Sequence, residues 1–180
     1  MSADMHRGQR ASRGNQTNHA IKAGYKDAAD FFAPQHKFFL LSGRHPYKTP
    51  MKTKSYLEAQ DAAAIATAAR EEAQKNNWAV TIAVVDDGGH LLHLQRLDGC
   101  ATISSYIAAE KARTAALGRR ESKAYEDIIN NGRTSFLSAP VLQGMLEGGV
   151  PIIKDGVVIG AVGVSGVKSS EDAQIARAGI

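Results

Sequence analysis

Trp78-Ala-Val-Thr-Ile-Ala-Val-Val-Asp-Asp-Gly-Gly-His-Leu-Leu-His-Leu-Gln-Arg-Leu97 reads as strand, turn, strand. Trp78, Val80, Ile82 and Val84 alternate with Ala79, Thr81, Ala83 and Val85. Both faces of the first strand are therefore largely apolar, and both need covering. Asp86-Asp87-Gly88-Gly89 supplies what a tight hairpin requires: short polar side chains that bond nearby backbone, and glycines that enter positive φ without a Cβ clash. His90 to Leu97 is then the returning strand. The paired aspartates do not make a calcium loop, because an EF-hand needs further oxygen ligands at fixed offsets and a closing Glu.

A second hairpin lies downstream. Gly148-Gly-Val-Pro-Ile-Ile-Lys-Asp-Gly-Val-Val-Ile-Gly160 places Asp155-Gly156 at its turn, and the strand continues from Val158 to Val164. Helices fill the intervals. Ser55-Tyr56-Leu57-Glu58 has the form of a capping box, and the run from Leu57 to Lys75 carries Ala59, Ala62, Ala63, Ala66 and Ala73, a smooth face able to approach a sheet closely. A second helix is expected from about Thr102 to Leu117, ended by Gly118, and a short one over Glu121 to Asn130, stopped by Asn131-Gly132. The last begins at Ser169 or Ser170, with Glu171 and Asp172 favouring the positive end of its dipole. Helix-flanked hairpins predict an antiparallel sheet with helices packed on it, an α+β architecture. The Asp-Gly turns contradict a parallel strand–helix–strand rhythm.

Charge divides the chain at Met51. Residues 1–50 hold eight Lys/Arg against three Asp/Glu, and residues 51–180 hold fourteen against fifteen, so the net charge of +4 belongs to the leader. The domain offers no phosphate-tracking stripe, which argues against a nucleic-acid partner. No stretch approaches the roughly 20 apolar residues of a membrane span. The start lacks the apolar core and cleavage site of a secretory signal, so a cytoplasmic location is expected. Residues 1–50 read as a basic leader, disordered or upstream of the natural start, and residues 51–180 as the domain. A chain beginning at Met51 is expected to melt within a few degrees of the full chain. A large loss by calorimetry would show that Phe31-Phe32 and Phe38-Phe39 pack on the domain. Because so small a domain buries a limited share of its surface, a homodimer or larger closed oligomer is expected.

No catalytic motif is complete. Gly160-Ala-Val-Gly-Val-Ser-Gly166 has the spacing G-x-x-G-x-x-G, not that of a dinucleotide fingerprint, and Ser165 does not sit in a nucleophile elbow. Cys100, the lone cysteine, excludes an internal disulfide and reads as structural. His90 and His93 lie three apart on a strand and so face opposite sides of the sheet; either is available to an iron, but not both to one metal. Ile103, Ile107, Lys111 and Thr114 share one helix face. From the pattern alone, Lys111 is a side chain snorkelling at the edge of the core.

Three stretches together resemble the GlcG/HbpS-like haem-binding family, also seen as the C-terminal domain of PduO-type proteins. They are Val80-Thr-Ile-Ala-Val-Val-Asp-Asp-Gly-Gly-His-Leu-Leu92, Glu110-Lys-Ala-Arg-Thr-Ala115, and Gly148-Gly-Val-Pro-Ile-Ile153 with Ile159-Gly-Ala-Val-Gly-Val-Ser-Gly166. The resemblance covers residues 55–180. It implies a profilin-like fold with a five-stranded antiparallel sheet flanked by helices, and a haem- or tetrapyrrole-binding accessory protein that forms homo-oligomers. It further implies that Lys111 meets a propionate or carboxylate, that Thr114 is a weak axial ligand or hydrogen-bond donor, and that Gly148, Gly149 and Pro151 form the opposite wall. The planar ligand would insert there or between subunits. A competing reading is a small enzyme or chaperone of a catabolic pathway acting on a hydroxy- or oxo-acid, with Lys111 on its carboxylate and Glu110 or Asp86 moving a proton. A purely structural oligomer is the third.

Overall fold

The computed structural model describes residues 51–180; the reading of residues 1–50 as a leader lies outside the described residues. Helix α1 (Ala59–Lys75) precedes the hairpin of β1 (Thr81–Asp86) and β2 (Leu91–Arg96). Helices α2 (Ser104–Gly118) and α3 (Lys123–Asn130) follow, then a 3-10 turn (Thr134–Ser138). The hairpin of β3 (Gly149–Lys154) and β4 (Val157–Ser165) and helix α4 (Ser169–Ala178) complete the fold. The four strands form one antiparallel sheet in the order β2-β1-β4-β3.

The α+β class is as expected, but the sheet has four strands among the described residues, not five. The long connection before β3 contributes none: Gly132 and Val141 take positive φ there, and only the 3-10 turn is regular.

β1 is the hydrophobic axis of the sheet, because β2 and β4 flank it and its first five residues are buried on both faces. Val80, Ile82 and Val84 join Val162, Val164 and Ile175 in one core layer beneath α1 and α4. Ala83, Val85 and Ala161 join Ala108, Ala112, Ala115 and Ala116 of α2 in the other. Each fully buried Val or Ile side chain contributes about 1.5–3 kcal/mol relative to exposure. α2 reaches the sheet closely because of glycine: a Cβ on Gly163 would run into the Ala108 carbonyl oxygen and stand 2.5 Å from the Ala112 nitrogen.

α1 starts later than its capping motif indicates. Leu57 is buried, with its side chain against Gly160, which holds the preceding chain extended. The cap moves to Glu58, whose N–H donates to the Asp61 carboxylate at 2.9 Å.

Candidate functional site

The sequence-derived site residues do come together, but as packed core. Lys111 lies on the buried side of α2, 3% exposed, and its Nζ donates to the Asp172 carboxylate at 2.8 Å and to the Val164 carbonyl at 3.0 Å. Asp172 belongs to the buried face of α4, and its other oxygen accepts from the Val167 N–H at 3.2 Å. Desolvation pushes the Asp172 carboxyl above its ordinary value, against the pull of Lys111. In this structure the partner of the Lys111 ammonium is internal.

The opposite wall is equally closed. A Cβ on Gly148 would stand 2.9 Å from Lys111 Nζ, and one on Gly149 would strike the Lys111 carbonyl. Ser122 seals this junction. Its Oγ donates to the Leu146 carbonyl at 2.5 Å and accepts from the Gly149 N–H at 2.8 Å, while its own N–H donates to the Gly149 carbonyl at 3.0 Å. Pro151 follows on β3 opposite Ala161. Thr114 is fully buried, and its Oγ1 has no hydrogen-bond partner among the described residues. In this structure α2 and the glycine segment are already in contact.

Cys100 is accounted for structurally. Its Sγ lies 2.8 Å from Ser104 Oγ, which in turn is 2.9 Å from Thr81 Oγ1, in a small polar cluster under the start of α2. The glycines at 160 and 163 sit inside β4 and admit Leu57 and α2, so the G-x-x-G spacing serves packing.

Among the described residues, an apolar surface on the α2 side of the sheet is exposed. By register, Leu91 opposes Val85 and Leu94 opposes Ala83, so both β2 residues face the α2 side. α2 leans over β1, β3 and β4, leaving Leu91, Leu94, Tyr106 and Leu117 exposed. Tyr106, Arg113 and Leu117 are spaced to form a stripe along the helix. Arg113 donates to the Gly89 carbonyl at 3.3 Å and to Glu110 at 2.8 Å, tying the stripe to the β1–β2 turn.

His90 stands at that turn. Its side chain is 81% exposed, and Nδ1 lies 3.1 Å and 3.2 Å from the two Asp86 oxygens. Asp86 also accepts from the backbone N–H groups of Gly88 at 2.9 Å and His90 at 2.8 Å. Partial desolvation raises the Asp86 carboxyl, but the bonds from His90 and Gly88 outweigh it and hold the group below its ordinary value. A carboxylate on Nδ1 selects the Nδ1–H tautomer and leaves the Nε2 lone pair available. His93 opposes Val84 and so faces away from α2. The bulge at Val84/Val85 offsets the alternation, so His90, paired with Asp86, falls on the same side of the sheet as His93, against the reading from their spacing.

Among the described residues no three His, Cys, Asp or Glu side chains gather into a metal cluster, and no helix is long and apolar enough to cross a membrane. The residues missed by sequence reasoning are Asp172 and Ser122. The signal for Asp172 was a carboxylate on a face otherwise formed by Ala173, Ile175 and Ala176.

This four-stranded antiparallel α+β unit has solved counterparts. It superposes on HbpS with a TM-score of 0.65, at 31% identity over 72% of this chain and 91% of that one. It superposes on the PduOC:heme complex with a TM-score of 0.61, at 28% identity over 70% of this chain and 94% of that one. Residues 57–180 match the model of the HbpS-like family, described as haem degrading protein HbpS-like, and the chain belongs to that family. It is also 66% identical to Protein GlcG of Escherichia coli strain K12, over 64% of this chain and 85% of that protein.

Proposed function

We propose that the chain is a haem- or tetrapyrrole-binding accessory protein that holds its ligand in the groove between β2 and α2. The carrying observation is the uncovered apolar surface of Leu91, Leu94, Tyr106 and Leu117, with Arg113 in the helix stripe and a carboxylate-paired imidazole, His90, exposed at the adjoining β1–β2 turn. Haem brings a flat apolar macrocycle, two propionates and an iron that accepts a nitrogen ligand. The leucines and Tyr106 would cover one face of the macrocycle, and the guanidinium of Arg113 would meet a propionate. His90, exposed at the turn that closes this end, would swing its Nε2 over to the iron, with Asp86 fixing its tautomer. A second copy of the chain would cover the other face, in keeping with a cytoplasmic homo-oligomer. The likeness to the PduOC:heme complex supports this reading. The pathway-enzyme reading is weaker in the form that puts Lys111 on a carboxylate, since that ammonium is already paired.

Hemin titration of the pure protein tests the proposal. A saturable Soret shift is expected, and His90→Ala should abolish or displace it. Asp86→Asn should weaken binding about ten- to hundred-fold. Thr114→Val and His93→Ala should leave the spectrum as it was. If Thr114→Val changes the spectrum and His90→Ala does not, the ligand lies at α2 and the assignment to the groove is wrong.

A further inference from the structure

On the other side of β2 a cleft of about 530 Å3 opens between the C-terminal half of α1 and the end of that strand. Its volume lies within the usual range of small-molecule sites, roughly 300–1,000 Å3. Arg70 and Gln74, one helical turn apart on α1, line one wall; Gln95 and Arg96 line the other; Trp78 lies between, and Asp98 stands with them. The positive charge here is not internally matched. Neither Arg70 nor Arg96 makes a salt bridge among the described residues, and Arg70 Nε is buried without a hydrogen-bond partner.

A buried guanidinium N–H left unpaired is costly, and native structures rarely retain one without a reason. The planar fork of a guanidinium matches a carboxylate through two parallel hydrogen bonds. Two glutamine amides beside it offer donors and acceptors suited to hydroxyl or oxo groups, and a half-buried indole supplies an apolar wall. Asp98 offsets one of the two positive charges, which leaves a surplus suited to a single carboxylate.

We propose that this cleft is a carboxylate-binding site, with Arg70 as its principal contact. The carboxylate belongs either to a free small organic acid or to a side arm of a larger ligand. The inference stands on the cleft's own lining and is independent of the tetrapyrrole reading.

Trp78 is the sole tryptophan of the chain, so its emission reports on the cleft directly. The full-length protein is titrated with succinate and with benzoate at constant ionic strength, and with chloride as control. A saturable change in Trp78 emission with a carboxylate, absent with chloride, is expected. Arg70→Gln should weaken it roughly tenfold or more. Arg70→Lys should restore only part of it, because the charge returns without the fork, and Asp98→Asn should tighten it. Circular dichroism melts establish that each variant is folded, and Arg96→Gln carries the test if Arg70→Gln is not. His90→Ala should leave the response intact, which separates this site from the haem groove. Calorimetric titration of succinate into hemin-loaded protein assigns the source: competition points to a propionate, and unchanged binding to a free acid. No saturable response to either carboxylate, an equal response to chloride, or an unchanged response in the folded arginine variants would overturn the proposal.

Discussion

Asp172→Ala should lower the unfolding free energy by about 3–5 kcal/mol, because it leaves the Lys111 ammonium buried without its counter-charge. The pair is 3% exposed on both sides and joins α2 to α4 across the end of β4, so no water is at hand to replace the carboxylate. Domains of this size are stable by about 5–15 kcal/mol, and the loss is a large fraction of that. Removing both charges is a different experiment. The double variant Lys111→Met, Asp172→Ala should recover much of the loss, since apolar groups of similar volume often replace a buried ion pair at little cost. The pH dependence has a definite sign. A carboxyl held above its unfolded value contributes most below that value, and its contribution falls as pH rises through the folded pKa. Desolvation raises Asp172 in this way, so its ionisation costs stability just above the ordinary carboxylate range. Urea denaturation of the two single variants and the double decides the matter. A loss in Asp172→Ala below about 1 kcal/mol, the scale of an exposed pair, would show that the ammonium is solvated instead.

The second large effect is expected at Gly163. An added methyl would drive into the backbone of α2 at Ala108 and Ala112, and a helix backbone has no rotamer with which to yield. Overpacking of this kind costs about 1–3 kcal/mol, and more where backbone must move. Gly163→Ala should therefore lift α2 from the sheet. Gly156→Ala is the matched control. Gly156 lies at the β3–β4 turn with a φ of +75° and nothing within 4 Å of a new Cβ, so only the backbone penalty of about 1–2 kcal/mol applies there. Thermal melts of the two variants should rank Gly163→Ala clearly below Gly156→Ala. Equal melting temperatures would mean that the sheet and α2 are not in the contact described.

These two positions also show where a linear reading reaches and where it stops. The alternation of β1 was legible, because a strand covered on both faces writes two apolar registers into adjacent residues. The hairpin turns were legible because Asp and Gly are selected there by local backbone geometry. Lys111 was visible as an odd member of an apolar helix face, but the snorkelling reading left its ammonium at the edge of the core, and the structure closes it against Asp172. Its partner was not legible. Asp172 stands 61 residues away and carries an equally good local explanation, the helix dipole. The glycines of β4 and of the β3 entry mark close backbone approach, which gives the same one-letter pattern as a ligand loop. The expected fifth strand came from the resemblance, not from any run of alternating residues, and the described chain has none to supply it.

The two borders of the sheet are unequal in a way that bears on how copies of the chain can associate. Along β3 the outward N–H and C=O of Gly149 are both taken by Ser122, the next outward-facing residue is Pro151, which has no N–H, and a bulge at Ile152/Ile153 bends the remainder of the strand. That border offers an incoming strand no continuous row of donors and acceptors. Among the described residues, β2 carries no such obstruction on its outer side beyond the bulge opposite Val84/Val85. A sheet open to extension on one side only does not stack end to end: were a second copy to add its strand at β2, the assembly would close as a pair and leave no free border for a fibre.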